Sequence, residues 1–181
     1  MLENMESAIK RGSRIYAEVL GYGLTCDANH PVAPDKASIV NCMRLAHKNA
    51  GIRPADVDYV SAHGTGTLAN DLTETAALRE VFGGMLPPVS SIKSMIGHTM
   101  GAASALGAIA CALSIHEHFI PPTINFETAD PACDIDCVPN TAREADVRIV
   151  QNNGFAFGGN NAIVILGGPN ANARSGATSY A

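Results

Sequence analysis

Tryptophan is absent from these 181 residues, and aromatic side chains make up only 5% of them. Charged residues are sparse at 16%, and acidic ones outnumber basic ones to leave a net charge of −5. No cluster of Lys and Arg reverses that balance, so the chain lacks both the basic footprint and the stacking platforms of a nucleic-acid binder. Phosphate-cradling signatures are missing too: there is no P-loop, no GxGxxG, and no helix directly after the loop Gly154-Phe155-Ala156-Phe157-Gly158-Gly159. The five cysteines are an odd number without framework spacing, which points to a reducing compartment. No signal peptide opens the chain; the start Met1-Leu2-Glu3-Asn4-Met5-Glu6 is amphipathic and charged, and a cytoplasmic location is expected. The longest small-apolar run, Gly101 to Ile115, is short and Ala/Gly-rich for a membrane span and reads as a buried helix.

What is present is the composition of a folded domain. Hydrophobic residues reach 46%, enough at this length for one real core. Residues 2–12 carry Leu2, Met5 and Ile9 on one helical face, with Gly12 as a stop. Ser13 to Gly21 alternates as a strand should, and Leu24 to Pro34 reads as loop. Asp35 or Ser38 can cap a helix to about Ala50, closed by Gly51. Val57 to Ala62 and Val89 to Ile92 read as short strands. Between them Asp71 to Phe82 reads as a helix, with Asp71 and Glu74 as helix-start charges. Lys93 to Gly97 reads as loop, then a long helix runs to about His118 and stops at Pro121-Pro122. Residues 123–146 are irregular and acidic, and 169–181 read as a flexible tail.

This order, β-α-β-α-β-α-β-β, implies a mostly parallel α/β sheet whose chemistry gathers beyond the strand ends. Three loops there carry the unusual residues: 63–67, 93–98 and 153–161. In the last, Gly154-Phe155-Ala156-Phe157-Gly158-Gly159 lies between two apolar runs. It is either a glycine hairpin with its Phe rings in the core, or a loop of free amides whose rings wall a pocket. His63 ends a strand and is either structural or a hydrogen-bond donor. His98 stands at a helix start near Lys93, an electrostatic setting that favours a neutral imidazole. Two neutral His donors aimed at one oxygen would stabilise an enolate or oxyanion. Cys133 and Cys137, with His116 and His118, have no standard zinc spacing, and no metal is expected. Cys26, Cys42 and Cys111 read as small core residues.

Taken together, the loops resemble the β-ketoacyl-acyl-carrier-protein synthases of thiolase fold, elongating enzymes and polyketide ketosynthases among them. Val60-Ser61-Ala62-His63-Gly64-Thr65-Gly66-Thr67 is similar to their first histidine motif. The run from Ser91 to Ala103, with Lys93, Gly97 and His98, is similar to their lysine and second histidine motif. Pro121-Pro122-Thr123-Ile124-Asn125, Cys133-Asp134-Ile135-Asp136 and Phe155-Ala156-Phe157-Gly158-Gly159-Asn160-Asn161 continue it. The resemblance spans about Leu2 to Leu166 and implies the C-terminal half of a thiolase-like fold, a mixed five-stranded sheet with helices on its faces. Residues 1–12 would then be a remnant of the preceding half, and 13–168 the domain proper.

The resemblance also implies chemistry. His63 and His98 would donate to the malonyl thioester carbonyl during decarboxylative Claisen condensation, and Lys93 would hold or polarise His98. Thr65 and Thr67 would bind the phosphopantetheine arm of an acyl carrier protein, which serves as substrate carrier; no other cofactor is implied. The Phe157 amide would join an oxyanion hole, with Phe155 and Phe157 gating the acyl pocket. The nucleophilic cysteine of the family lies in the preceding half, so a cysteine-bearing half or partner chain is implied, in a dimeric or higher assembly. The alternative is a non-catalytic, chain-length-type partner or scaffold subunit that shapes the acyl pocket. One departure bears on that choice: Gly107 stands where the family usually has a glutamate thought to pair with the lysine.

Overall fold

The computed structural model describes residues 1–169 and 171; the tail expected over 169–181 lies almost wholly outside the described residues. Helix α1, Met5–Lys10, starts where the Asn4 side chain accepts the amides of Glu6 and Ser7. The first strand, β1, is Glu18–Cys26 rather than Ser13 to Gly21. Its glycines explain the displacement. A Cβ on Gly23 would sit 2.2 Å from the Cys42 carbonyl oxygen, and one on Gly21 2.5 Å from the Ala50 nitrogen. Glycine at alternate positions therefore leaves one strand face bare for a helix backbone, where the sequence pattern suggested a strand end. That helix, α2, is Lys36–Ala50, capped by Asp35 and closed by Gly51 at φ 67°.

Strand β2 is Tyr59–Ser61 and helix α3 is Leu68–Phe82, one turn longer at its start than Asp71 allowed. Thr67 occupies the cap position without a side-chain cap bond, and its carbonyl accepts the Asp71 amide. Strand β3 is Val89–Ser90, followed by a short helix α4, Lys93–Ile96, where a loop was expected. A single 3₁₀ turn over Met100–Ala102 leads into α5, Ala103–Glu117. Strands β4 (Phe119–Ile120) and β5 (Arg143–Glu144) make a small antiparallel ladder that brackets the irregular 123–142 segment. The closing hairpin is β6, Ile149–Ala156, and β7, Asn160–Gly167.

The main sheet has five strands in the order β1-β7-β6-β2-β3. Pairings β1–β7 and β7–β6 are antiparallel, while β6–β2 and β2–β3 are parallel. It is thus mixed, and its parallel part is confined to the three strands that feed the histidine and glycine loops. One core fills the space between the sheet and α2 and α3, with Ile39, Met43, Leu78, Phe82, Ile163 and Ile165 buried. A second lies against α5, around Tyr59, Cys111, Ile115, Val150 and Leu166. Each such side chain stabilises the fold by about 1.5–3 kcal/mol.

Helix α5 is not the fully buried helix expected. By length and composition Met100–Glu117 is long and apolar enough to cross a membrane, with mean hydropathy 1.3, yet only 28% of that window is buried. One side packs on β6 and β7; the other leaves Met100, Ile109 and Leu113 exposed. Cys42 and Cys111 are buried as expected, but Cys26 is exposed, its thiol 3.6 Å from the Gly158 carbonyl.

Candidate active site

Parallel pairing puts the ends of β2, β3 and β6 side by side, and all three chemistry-bearing loops leave from those ends. His63 follows β2 and is 8% exposed. Its backbone is gripped on both sides. Glu74 Oε1 accepts the His63 amide at 2.9 Å, and Glu74 Oε2 accepts the Gly64 amide at 2.9 Å. Lys93 Nζ donates to the His63 carbonyl at 2.5 Å. Gly64 turns at φ 43°, and a Cβ there would lie 2.6 Å from Ser91 Cβ. This close approach, with Ser91 Oγ donating to the Gly64 carbonyl, seats the 63–67 loop against the start of the 91–98 loop.

His98 lies in the turn between α4 and the 3₁₀ segment. Its Nδ1 accepts the Met100 amide at 3.1 Å, which leaves the proton on Nε2 and directs a donor away from the turn. The His63 and His98 rings are 5.8 Å apart and nearly perpendicular, at 83°. Phe155, near the end of β6, has its ring centroid 5.3 Å from that of His63. Burial first, then the ammonium of Lys93 and the neighbouring His98, pull the His63 pKa down to about 4. The imidazole is therefore neutral at physiological pH. Burial also lowers the Lys93 pKa, opposed by the nearby Glu74 carboxylate.

The remaining expected residues divide. Thr65 and Thr67 bind each other, Oγ1 to Oγ1 at 2.8 Å, at the exposed edge of the loop. Phe157 is 69% exposed at the hairpin tip, so of the two rings Phe155 alone lies against His63. The tip turns through Gly158 and Gly159, at φ 79° and 78°. Its amides are spoken for at Gly158, which donates to Pro31, and at Gly159, which donates to Ala156; the Phe157 amide is left out of the turn's own bonds. Asn161 ties this tip to Asp27 at 2.6 Å, and the Asp27 amide donates to the Gly159 carbonyl.

A cavity of about 580 Å³ opens beside the site. Thr65, Lys93 and His98 are among its polar lining residues, and Leu78, Ile124 and Phe126 among its apolar ones. Cys133 and Cys137 are in its wall, while His116 packs edge-on to Tyr16, 4.8 Å away. Among the described residues no group of three or more His, Cys, Asp or Glu could hold a metal.

Glu74 is the residue that sequence reasoning misassigned. It is 3% exposed and its carboxylate accepts from four N–H groups: His63, Gly64, Asn70 Nδ2 and Asn153 Nδ2. The available signal was its position in the apolar stripe of α3, four residues before Leu78 and eight before Phe82, where a solvated charge does not belong. Gly107 has a structural counterpart as well. A Cβ there would lie 2.6 Å from Asn152 Oδ1, so the Asn152 amide occupies the space above it.

Residues 16–127 match the C-terminal domain of β-ketoacyl synthases. The chain is 48% identical over 166 residues to nodulation protein E of Rhizobium meliloti, covering 91% of this chain and 41% of that one. It is 44% identical over 165 residues to 3-oxoacyl-[acyl-carrier-protein] synthase 2 of Synechocystis, covering 89% and 40%. Among solved structures it superposes on the ishigamide ketosynthase/chain length factor with TM-score 0.91 and 60% identity, over 92% of this chain and 41% of that one. For a chain of the AntDE:AntF complex, a type II polyketide acyl-carrier protein with its ketosynthase, the TM-score is 0.90 at 35% identity, over 93% and 42%. The chain thus spans about two-fifths of the length of the relatives it matches.

Proposed function

The chain belongs to the β-ketoacyl synthase family, with a thiolase-like α/β fold, and from that premise we propose that it supplies the His63, His98 and Lys93 apparatus of a decarboxylative Claisen condensation. The substrate is malonyl-carrier protein, and the electrophile is an acyl thioester on a cysteine outside this chain. As the malonyl C–C bond breaks, carbon dioxide leaves and its electron pair becomes the enolate. The N–H groups of His63 and His98 donate to the enolate oxygen. The α-carbon then attacks the acyl carbonyl, and the cysteine thiolate departs, leaving a 3-oxoacyl chain on the carrier. Thr65 and Thr67 bind the phosphopantetheine arm from the loop edge. The Phe157 amide donates to the tetrahedral oxyanion, Phe155 walls the reacting centre, and the exposed Phe157 ring gates the acyl pocket.

The observation that carries this reading is the pair of imidazoles 5.8 Å apart beside Lys93, with His63 held neutral. The chain's own thiols favour an outside nucleophile. Cys42 and Cys111 are buried, with burial raising both thiols, Cys111 to about 12. The five cysteines are free, in keeping with a reducing cytoplasm. The apolar outer face of α5, where Ala105, Ile109 and Leu113 are exposed, is suited to close packing by the cysteine-bearing half in a dimeric or larger assembly with acyl carrier protein as client. The second reading, a chain-length-type partner without chemistry of its own, draws on Gly107. Against it, Lys93 already has the His63 carbonyl and Glu74 as partners.

The test is malonyl-carrier decarboxylation and condensation by the assembly with a cysteine-bearing half. His63→Ala and His98→Ala are expected to lower the rate about 100-fold or more. Unchanged product formation in the His98→Ala assembly would select the second reading.

A further inference from the structure

Behind the site, four buried polar side chains form one continuous line of hydrogen bonds. His47 Nε2 is 2.7 Å from Gln151 Oε1, Gln151 Nε2 is 2.8 Å from Asn153 Oδ1, and Asn153 Nδ2 is 2.9 Å from Glu74 Oε1. His47 is 4% exposed, Gln151 0%, Asn153 2% and Glu74 3%. The line runs from the last turn of α2, across β6 at alternate positions, to the carboxylate that holds the His63 and Gly64 amides.

Its direction is fixed by chemistry. The Glu74 oxygen accepts, so Asn153 must present its amide nitrogen to it. Asn153 then turns its oxygen to Gln151, which must present a nitrogen in its turn. Gln151 Oε1 is left for His47, whose proton must sit on Nε2. Every donor points toward the site, and such aligned bonds polarise one another. Within this line the one buried atom without a partner is His47 Nδ1, at the end remote from the site. Burial lowers the His47 pKa, which keeps the ring in the one-proton form that the line requires. Apolar residues would fill these core positions at lower desolvation cost, so the polar line is maintained for what it holds in place.

We propose that His47, Gln151 and Asn153 are positioning residues that fix the Glu74 carboxylate and, through it, the backbone of His63. They touch no reacting atom; they set where the His63 donor points. The kinetic side of this inference rests on the condensation reading, and its structural side does not.

Both sides can be measured on the full chain and its assembly with the cysteine-bearing half. Asn153→Leu and the isosteric Gln151→Glu, which turns an acceptor toward Asn153 Oδ1, are each expected to speed amide exchange at His63 and Gly64 about tenfold relative to Ile163 and Ile165 in β7. In the assembly they should lower kcat for malonyl decarboxylation about tenfold with KM within about twofold, the pattern of a misplaced group rather than lost binding. His47→Phe should show the same effects, and His47→Gln, which restores a donor near the Nε2 position, should reverse them. If Asn153→Leu prevents folding, the Gln151→Glu variant and the His47→Phe and His47→Gln pair still decide. Unchanged exchange at His63 and Gly64 in folded variants would overturn the proposal. An inactive wild-type assembly alongside the expected exchange would overturn the condensation reading and leave the positioning role intact.

Discussion

Glu74 holds the backbone of His63 from one side of the peptide while Lys93 holds it from the other. The carboxylate accepts the His63 amide at 2.9 Å, and the ammonium donates to the His63 carbonyl at 2.5 Å. A charge of each sign is thus used to fix one residue whose own side chain stays neutral.

Replacing Glu74 by Gln keeps the shape and puts an NH₂ group where an oxygen accepted two N–H bonds. Whichever way the amide turns, two donors of the four now face a donor. A buried unsatisfied donor costs about 1–3 kcal/mol. Glu74→Gln is expected to lose that much in urea unfolding and to lower decarboxylation in the assembly. A variant as stable as the parent would show that the carboxylate is dispensable to the fold.

The depressed His63 pKa, about 4 against the ordinary 6.5, has a pH signature. Between those values the unfolded chain binds a proton that the folded chain refuses, so stability rises with pH across the window. The contribution is fully present above about pH 6.5 and lost as pH falls through about 4; its size is up to about 3 kcal/mol. The His63 imidazole, followed by NMR, is expected to titrate below pH 5. A midpoint near 6.5 would mean that the ring is solvated rather than enclosed.

Lys93 contributes the second cause of that depression, after burial. Lys93→Met keeps most of the bulk and removes the charge. The His63 midpoint should then move up, but stop short of 6.5 because burial remains the larger cause. The His63 carbonyl also loses its donor, so decarboxylation should fall even though Lys93 touches no reacting atom. A midpoint that does not move would place the charge effect elsewhere.

Much of this site was legible in the sequence because its parts sit in loops with distinctive spacing. Gly64 and Gly97 are where the backbone needs positive φ; His63 follows β2, Lys93 starts the short helix after β3, and His98 comes just beyond that helix. Lys93–Ile96 and residues 153–156 read as loop and are helix α4 and the end of β6, but α2 followed from its apolar face and the breaker Gly51. The first strand did not, since Gly21 and Gly23 looked like punctuation and are instead the contact with α2. Glu74 and Gln151 were hidden for a related reason. Hydrogen-bond partners far apart in sequence leave no trace of their own pairing, and with α3 read as starting at Asp71 the Glu74 carboxylate looks like one complementing the helix dipole.

Gly107 offers a test in which two ordinary expectations have opposite signs. In an exposed helix interior Gly→Ala gains about 1 kcal/mol from reduced backbone freedom. At position 107, however, the new Cβ would lie 2.6 Å from Asn152 Oδ1, closer than any relaxed contact. Asn152 is not free to swing away, since its Nδ2 donates to the Ser104 carbonyl at 3.1 Å and the residue is 4% exposed. Overpacking of this kind costs about 1–3 kcal/mol, so Gly107→Ala is expected to destabilise despite its helix propensity. Asn152→Ala should relieve the clash, and the pair should show a coupling of about 1 kcal/mol or more in a double-mutant cycle. Additive effects would show that Asn152 does not occupy the space above Gly107. A coupled pair would also account for how a chain with glycine at this position keeps its helix packed: the side chain is supplied from β6 instead of from α5.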